Sequence, residues 1–367
     1  MQSLKPARRP VRLVLVLALC SGATVADDPQ QSTPSSPSSI QAPQDDKTQA
    51  TGKQQQQLFP TKDRKQLGVF DGDLSASGIG DERSAPIDEA LKAGDYARAE
   101  TLLLEIAEKS PPSARVLRLL GGVFFLRGRP LNAAVALKKA EAIAPLDERS
   151  RFTLVMAYVA LGRGDWARPE LTKLLEAAPA NALYHYWTGR LDYDAQQYAT
   201  AVKSLLRAVE LDPGLAKAHD SLGLCYEAMG RFDEAVRSWE EAIRLESALP
   251  TRSPWPPLNL GLLMTRLDRL DASEARFREA VSSDPGFAAA HYQLGLVLEK
   301  KGRTADALAE LEEAARLDPA SAEAQYALAR LYRRGGDGAK ADRALQRFEQ
   351  IKKEADAKKG EGAAAPR

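Results

Sequence analysis

The chain has 367 residues and carries 51 basic against 50 acidic side chains. That balance leaves no large electrostatic footprint for a nucleic acid. The length alone suits two or three ordinary domains, unless repeated units add to one continuous core.

The first 26 residues stand apart. Lys5, Arg8, Arg9 and Arg12 precede an apolar run from Leu13 to Cys20, and Thr24, Val25 and Ala26 offer small residues before a cut. This order of basic, apolar and small residues resembles a secretory signal peptide over residues 1–26. The run is far short of the ~20 apolar residues that span a bilayer as a helix. The competing reading is a basic tail with a chance apolar patch. Leu17, Ala18, Leu19 and Cys20 also resemble a bacterial lipoprotein box, which makes Cys20 a candidate lipidation site and the protein a candidate lipid-anchored one. Leu19 departs from that pattern, which wants a small residue before the cysteine. Cleavage after Ala26 would leave Cys225 as the one cysteine, with neither an intrachain disulfide nor a CxxC metal site available.

Residues 27–79 read as a disordered, low-complexity leader. From Asp27 to about Gln57 the chain is Pro, Ser, Gln and Thr, with too little apolar surface to offset the entropy of ordering. Beyond it, Leu67, Val69, Phe70 and Ile79 could dock on whatever folds next.

From residue 80 a 34-residue period takes over. Its template is Ala288 to Ser321, where two stripes of apolar or small residues, Tyr292 to Leu298 and Ala305 to Leu317, recur three and four apart. Such spacing predicts two amphipathic helices. Gly302 between them can end the first helix in a left-handed conformation, and Asp318-Pro319 closes the second. With Ala288 as position 1, position 8 is small where the paired helices must cross closely: Gly121, Gly189, Gly223, Gly261, Gly295 and Ala329, with Val155 the exception. Position 20 is alanine in every unit except at Ser273, and position 15 is glycine except at Gln196 and Asp268. Five repeats fill 80–249, the first with a weak first helix; a Pro-rich insertion covers 250–257; three more repeats fill 258–355, and 356–367 is a disordered, charged tail. Four prolines between Pro250 and Pro257 cannot all sit inside a helix, so the sixth unit's first helix is expected to begin near Leu258. Trp255, held among them, either folds back over the 216–249 hairpin as a plug or stands out as an anchor for a partner. The stack is expected to bend there.

A period of this length with these residues in phase resembles the tetratricopeptide repeat family. The resemblance covers roughly residues 80–355 and implies an all-α, right-handed superhelical solenoid of about eight helix-turn-helix repeats. It also implies that position 4, here His185, His219 and His291, packs between helices, against the reading as a metal ligand or general base. Positions 2, 5, 9, 12 and 13 would line a concave groove. They place there Arg115, Arg118 and Phe125, then Arg149, Phe152 and Met156, then Tyr186, Arg190 and Tyr193, and later Tyr292 and Tyr326. Arginine and aromatic side chains suit a binding surface because both bury large areas and keep polar contacts. The alternative is that Phe125 and Phe152 merely pack between repeats. The carboxylate clamp of chaperone-binding members is not expected, since no position 9 is asparagine.

No catalytic pattern is present: Gly78-Ile79-Gly80 lacks the strand, helix start and lysine of a phosphate loop, and no GxSxG occurs. No cofactor and no metal are expected. The reading is a non-catalytic scaffold for protein–protein interaction in the cell envelope or secreted space, holding an extended peptide or helix in its groove. The alternatives are a lipid-anchored envelope assembly factor or an accessory subunit of an enzyme complex.

Overall fold

A computed structural model describes residues 84–109 and 113–363, all within one compact unit, Gln44–Arg367. The expectations for residues 1–26, for lipidation at Cys20 and for the 27–79 leader lie outside the described residues. The described residues form sixteen α-helices and no strand. They pair in order as α1 (Ser84–Ala93) with α2 (Tyr96–Lys109), α3 (Ala114–Leu126) with α4 (Pro130–Ile143), α5 (Glu148–Ala160) with α6 (Gly164–Ala177), and α7 (Ala182–Asp194) with α8 (Tyr198–Leu211). Then come α9 (Ala216–Ala228) with α10 (Phe232–Glu246), α11 (Trp255–Arg266) with α12 (Leu270–Ser283), α13 (Ala288–Lys300) with α14 (Thr304–Leu317), and α15 (Ala322–Arg334) with α16 (Gly338–Ala363). The result is a right-handed superhelical solenoid of eight helical hairpins.

Each hairpin turns on one left-handed residue. Six are glycines, among them Gly128 at φ 74°, and the other two are Gln196 at φ 59° and Asp268 at φ 58°. The two exceptions in the sequence are thus not exceptions in the backbone. Around each such residue the next amide reaches back to close the first helix, as Arg129 N does to Phe124 O at 2.9 Å. This satisfies carbonyls that the helix end would leave bare.

Close crossing explains the small residues at position 8. A Cβ on Gly121 would lie 2.5 Å from Leu137, one on Gly189 2.6 Å from Leu205, and one on Gly261 2.6 Å from Phe277. In every case the opposing side chain stands sixteen residues on, in the second helix of the same hairpin. Ser273, which replaces alanine at the matching site, donates to the Gly261 carbonyl at 2.9 Å, so its buried hydroxyl has a partner.

Two boundaries differ from expectation. The sixth first-helix begins at Trp255, not near Leu258, because Pro256 and Pro257 occupy its first turn, where a missing N–H costs nothing. The last helix continues through residue 356 to Ala363, where disorder was expected, through a stretch rich in alanine, lysine and glutamate, all good helix formers. Trp255 does not fold back over the 216–249 hairpin. It remains 51% exposed and meets Phe287 edge-on at 4.8 Å, leaning toward the following repeat. The buried apolar residues form two clusters that meet on α11: Leu260, Leu263 and Met264 join the first, and Leu258 joins the second.

Candidate functional site: the inner face and its C-terminal cleft

The first helices of successive hairpins present positions 5, 9, 12 and 13 side by side, but burial sorts the expected lining residues. Phe125, Phe152 and Met156 are core, at 3%, 3% and 0% exposure, and Phe152 packs on the Tyr184 ring at 5.3 Å. They fill the seams between hairpins and offer no surface to a ligand. Arg115, Arg118 and Arg149 stay half-buried, and Arg118 is paired with Asp147 at 3.0 Å. The early groove is therefore basic, without the exposed aromatic lining that the sequence suggested.

The middle of the face is a balanced polar cluster. The Arg190 guanidinium lies 5.2 Å from the Tyr193 ring and 3.7 Å from Asp194, and Lys217 sits 5.2 Å from the ring of Tyr186, itself buried. Asn259 donates to Asp220 at 3.1 Å, and Arg266 pairs with Glu227 at 2.9 Å, tying α11 to α9. Burial pushes the Asp220 and Glu227 carboxyls above the usual carboxylate range, with their partners pulling the other way. Burial likewise raises the Tyr193 hydroxyl to about 12 and the Cys225 thiol to about 12. A buried thiol held protonated is a packing residue, not a nucleophile.

Aromatic surface is found at the C-terminal end. A cleft of about 600 Å³ lies between α13, α15 and α16, lined by Tyr292, Leu296, Tyr326, Arg330, Phe348 and Lys352. Tyr326 is 53% exposed and meets Phe348 at 5.4 Å between ring centroids. Lys352 sits 5.5 Å from the Phe348 ring. Arg330 and Arg334 both reach Glu299, the second at 3.1 Å. Of the residues singled out in the sequence, Tyr292 and Tyr326 are brought together here, whereas Phe348 and Lys352 come from a second helix, outside the groove positions of the pattern.

The histidines do not assemble. His185 Nε2 lies 2.8 Å from the Pro179 carbonyl, and His291 makes the equivalent contact to Pro285 at 3.2 Å, with Nδ1 2.7 Å from Glu310. In these two units position 4 thus fastens a first helix to the end of the preceding hairpin. Among the described residues no group of three or more His, Cys, Asp or Glu is placed to hold a metal ion, and no helix is long and apolar enough to cross a membrane.

Comparison with known proteins agrees with this geometry. A tetratricopeptide repeat family model matches residues 87–148, 258–322 and 292–356. Two related repeat models match 189–230 and 216–248. The chain belongs to the tetratricopeptide repeat family. The TPR repeat-containing protein YpiA of Bacillus subtilis is 24% identical over 261 residues, which cover 65% of this chain and 59% of YpiA, so the match spans less than two thirds of that relative. Among solved structures, yeast Tom70 is similar with a TM-score of 0.54 at 20% identity, covering 83% of this chain and 68% of its own. The Cut9–Hcn1 assembly is similar at 0.54 and 16% identity, covering 74% and 51%. At such identities the likeness shows the fold of this TPR chain, and function is argued from its own surface.

Proposed function

We propose that this TPR chain is a non-catalytic scaffold that holds an extended peptide or helix of a partner protein against its inner face, in the cell envelope or the secreted space. The C-terminal cleft carries this reading. It gathers Tyr292, Tyr326 and Phe348 beside Arg330 around one concavity. Half-exposed aromatic and arginine side chains around a concavity are what a protein partner uses as anchors. The fold supports the same reading, since stacked hairpins create extended concave surfaces.

Export rests on the order of basic, apolar and small residues in 1–26, which supports a mature N-terminus at Asp27. The Leu17 to Cys20 box favours a second reading, a lipid-anchored assembly factor beginning at Cys20. Intact-mass analysis of the native protein separates the two, and a chain retaining residues 1–26 would overturn both. Binding is tested by selecting from a random-peptide display library with the wild type and with a Tyr292→Ala/Tyr326→Ala variant. Peptides enriched on the wild type and lost on the variant are expected. No enrichment on either would refute the scaffold reading.

A further inference from the structure

Position 27 of the repeat sets what the end of this stack accepts. In the seven earlier hairpins it is Ile106, Leu174 or one of five alanines, and all seven are buried within the stack. In the eighth it is Phe348, larger than any of them and followed by no further hairpin among the described residues. Its ring leans on Tyr326 and stays partly open to the cleft. A helix ~10 Å across would have to dock farther off than over the five alanines, and farther than over Ile106 or Leu174. An extended segment, thinner than a helix, fits over the Tyr326–Phe348 pair and can drop one side chain into the 600 Å³ cleft.

Charge adds a second, independent constraint. Residues 322–363 carry ten basic and seven acidic side chains, whereas residues 27–321 carry 36 basic and 43 acidic ones. The eighth hairpin is thus net basic beside a net acidic stretch of 27–321. Arg330 and Lys352 flank the cleft directly. Glu323 is the one acid lining it, and Glu299, beneath, is already engaged by Arg330 and Arg334.

We propose that the cleft of the last two repeats binds an extended, acidic segment of a partner protein through one aromatic or leucine anchor. This deepens the scaffold reading above and rests on it. The anchor side chain would sit between Tyr292, Leu296 and Tyr326, and carboxylates on either side would meet Arg330 and Lys352. Arg330 already gives one N–H to Glu299 and, with five donors, keeps others for a ligand carboxylate.

The test uses the full mature chain and short fluorescein-labelled peptides read by anisotropy. One peptide has a central phenylalanine flanked by aspartates; a second replaces the aspartates by lysines; a third replaces the phenylalanine by glycine. A fourth, photo-crosslinking form of the first locates the bound anchor by mass spectrometry. We expect the first to bind in a salt-dependent way and to crosslink to Tyr326 or its neighbours. Tyr326→Ala and Arg330→Gln should each weaken it about tenfold, the size of one hot-spot contact. The lysine and glycine peptides should bind at least about tenfold more weakly. Equal binding of the acidic and basic peptides would overturn the proposal, as would crosslinks confined to the Arg190 region, which leave the scaffold reading standing. Failure of every peptide would overturn both readings. A concentration-dependent dimer in light scattering, abolished by Tyr326→Ala, would assign the cleft to a second copy and also overturn it.

Discussion

Placing a methyl group on Gly223 puts the crossing geometry under direct test. A Cβ there would lie 2.5 Å from both Cε2 and Nε1 of Trp239, which is fully buried. Carbon atoms in favourable contact sit ~3.5–4.0 Å apart, so the overlap is about 1 Å or more. Two effects oppose each other. Alanine is a better helix former than glycine by about 1 kcal/mol, whereas forcing an extra group into a packed core costs about 1–3 kcal/mol. The indole is planar, rigid and enclosed, so the upper part of that range applies. Gly223→Ala is expected to lose about 1–2 kcal/mol net.

The partner variant makes the reasoning specific. Trp239→Leu alone empties space and should cost about 2–4 kcal/mol. Combined with Gly223→Ala it approaches Val155 opposite Leu171, both buried, although at Gly121 and Gly189 the opposing leucine itself fills the space, so the relief is partial. The double variant should therefore lose less than the sum of the two single losses, with a coupling of about 1 kcal/mol. Urea unfolding followed by far-UV circular dichroism reads this from midpoints at unchanged slope. Additivity within ~0.5 kcal/mol would mean that Trp239 does not occupy the space that Gly223 leaves.

Three further outcomes follow from the described contacts. Gln196→Gly should raise stability by about 1 kcal/mol, because a non-glycine pays about that much at φ 59°; Asp268→Gly should gain less, since aspartate tolerates the left-handed region better; thermal melts that fall for both would refute the turn geometry. Glu274 accepts from Lys301 at 2.6 Å and Arg303 at 2.7 Å, and the Lys301 bond, aided by Arg278 and Arg303, holds its carboxyl below the usual range against the opposing effect of burial. A depressed carboxylate stabilises above its unfolded pKa and loses that contribution as pH falls through the folded value. Glu274→Gln should thus lower the melting temperature clearly at pH 7 and much less near pH 3, and an equal effect at both would sink the assignment. Arg252 is exposed in the segment between α10 and α11, so trypsin should cut there first among residues 84–357, leaving two protected fragments. Uniform resistance at that bond would contradict a weak joint.

The fold was legible because each unit repeats the same demands. A small residue at position 8 in most units, alanine or serine at 20, and a left-handed residue at 15 in all eight are local demands of one hairpin, and their agreement in phase leaves little room for another solution. Gln196 and Asp268 broke the residue pattern while keeping the backbone, which a sequence cannot reveal. The site was less legible. Phe125 and Phe152 stand at positions that the repeat turns inward in principle, yet whether such a ring faces a ligand or a seam depends on how closely neighbouring hairpins approach. Here they approach closely, at 3% exposure for both rings. Phe348 was readable after all: it is the single aromatic residue at a position otherwise filled by alanine, leucine or isoleucine. Its consequence needed the knowledge that no later hairpin packs on it among the described residues.

The junction at α11 shows how the repeat tolerates an interruption. Four extra residues should throw the helices out of register, and the buried apolar clusters do part company along this helix. Leu260, Leu263 and Met264 carry the first cluster across the break, and polar contacts set the orientation. Asn259 reaches Asp220, Arg266 reaches Glu227, and the Ser253 amide donates to the Glu246 carboxylate, so three directional contacts link the sixth hairpin to the fifth. Polar contacts of this kind add little net stability, but each fixes one orientation, whereas apolar contact alone would let the helix slide. The insertion therefore joins two blocks of repeats through an apolar seam whose orientation is specified by polar contacts. Loss of either carboxylate there, by Asp220→Ala or Glu227→Ala, should loosen the seam while leaving both blocks folded.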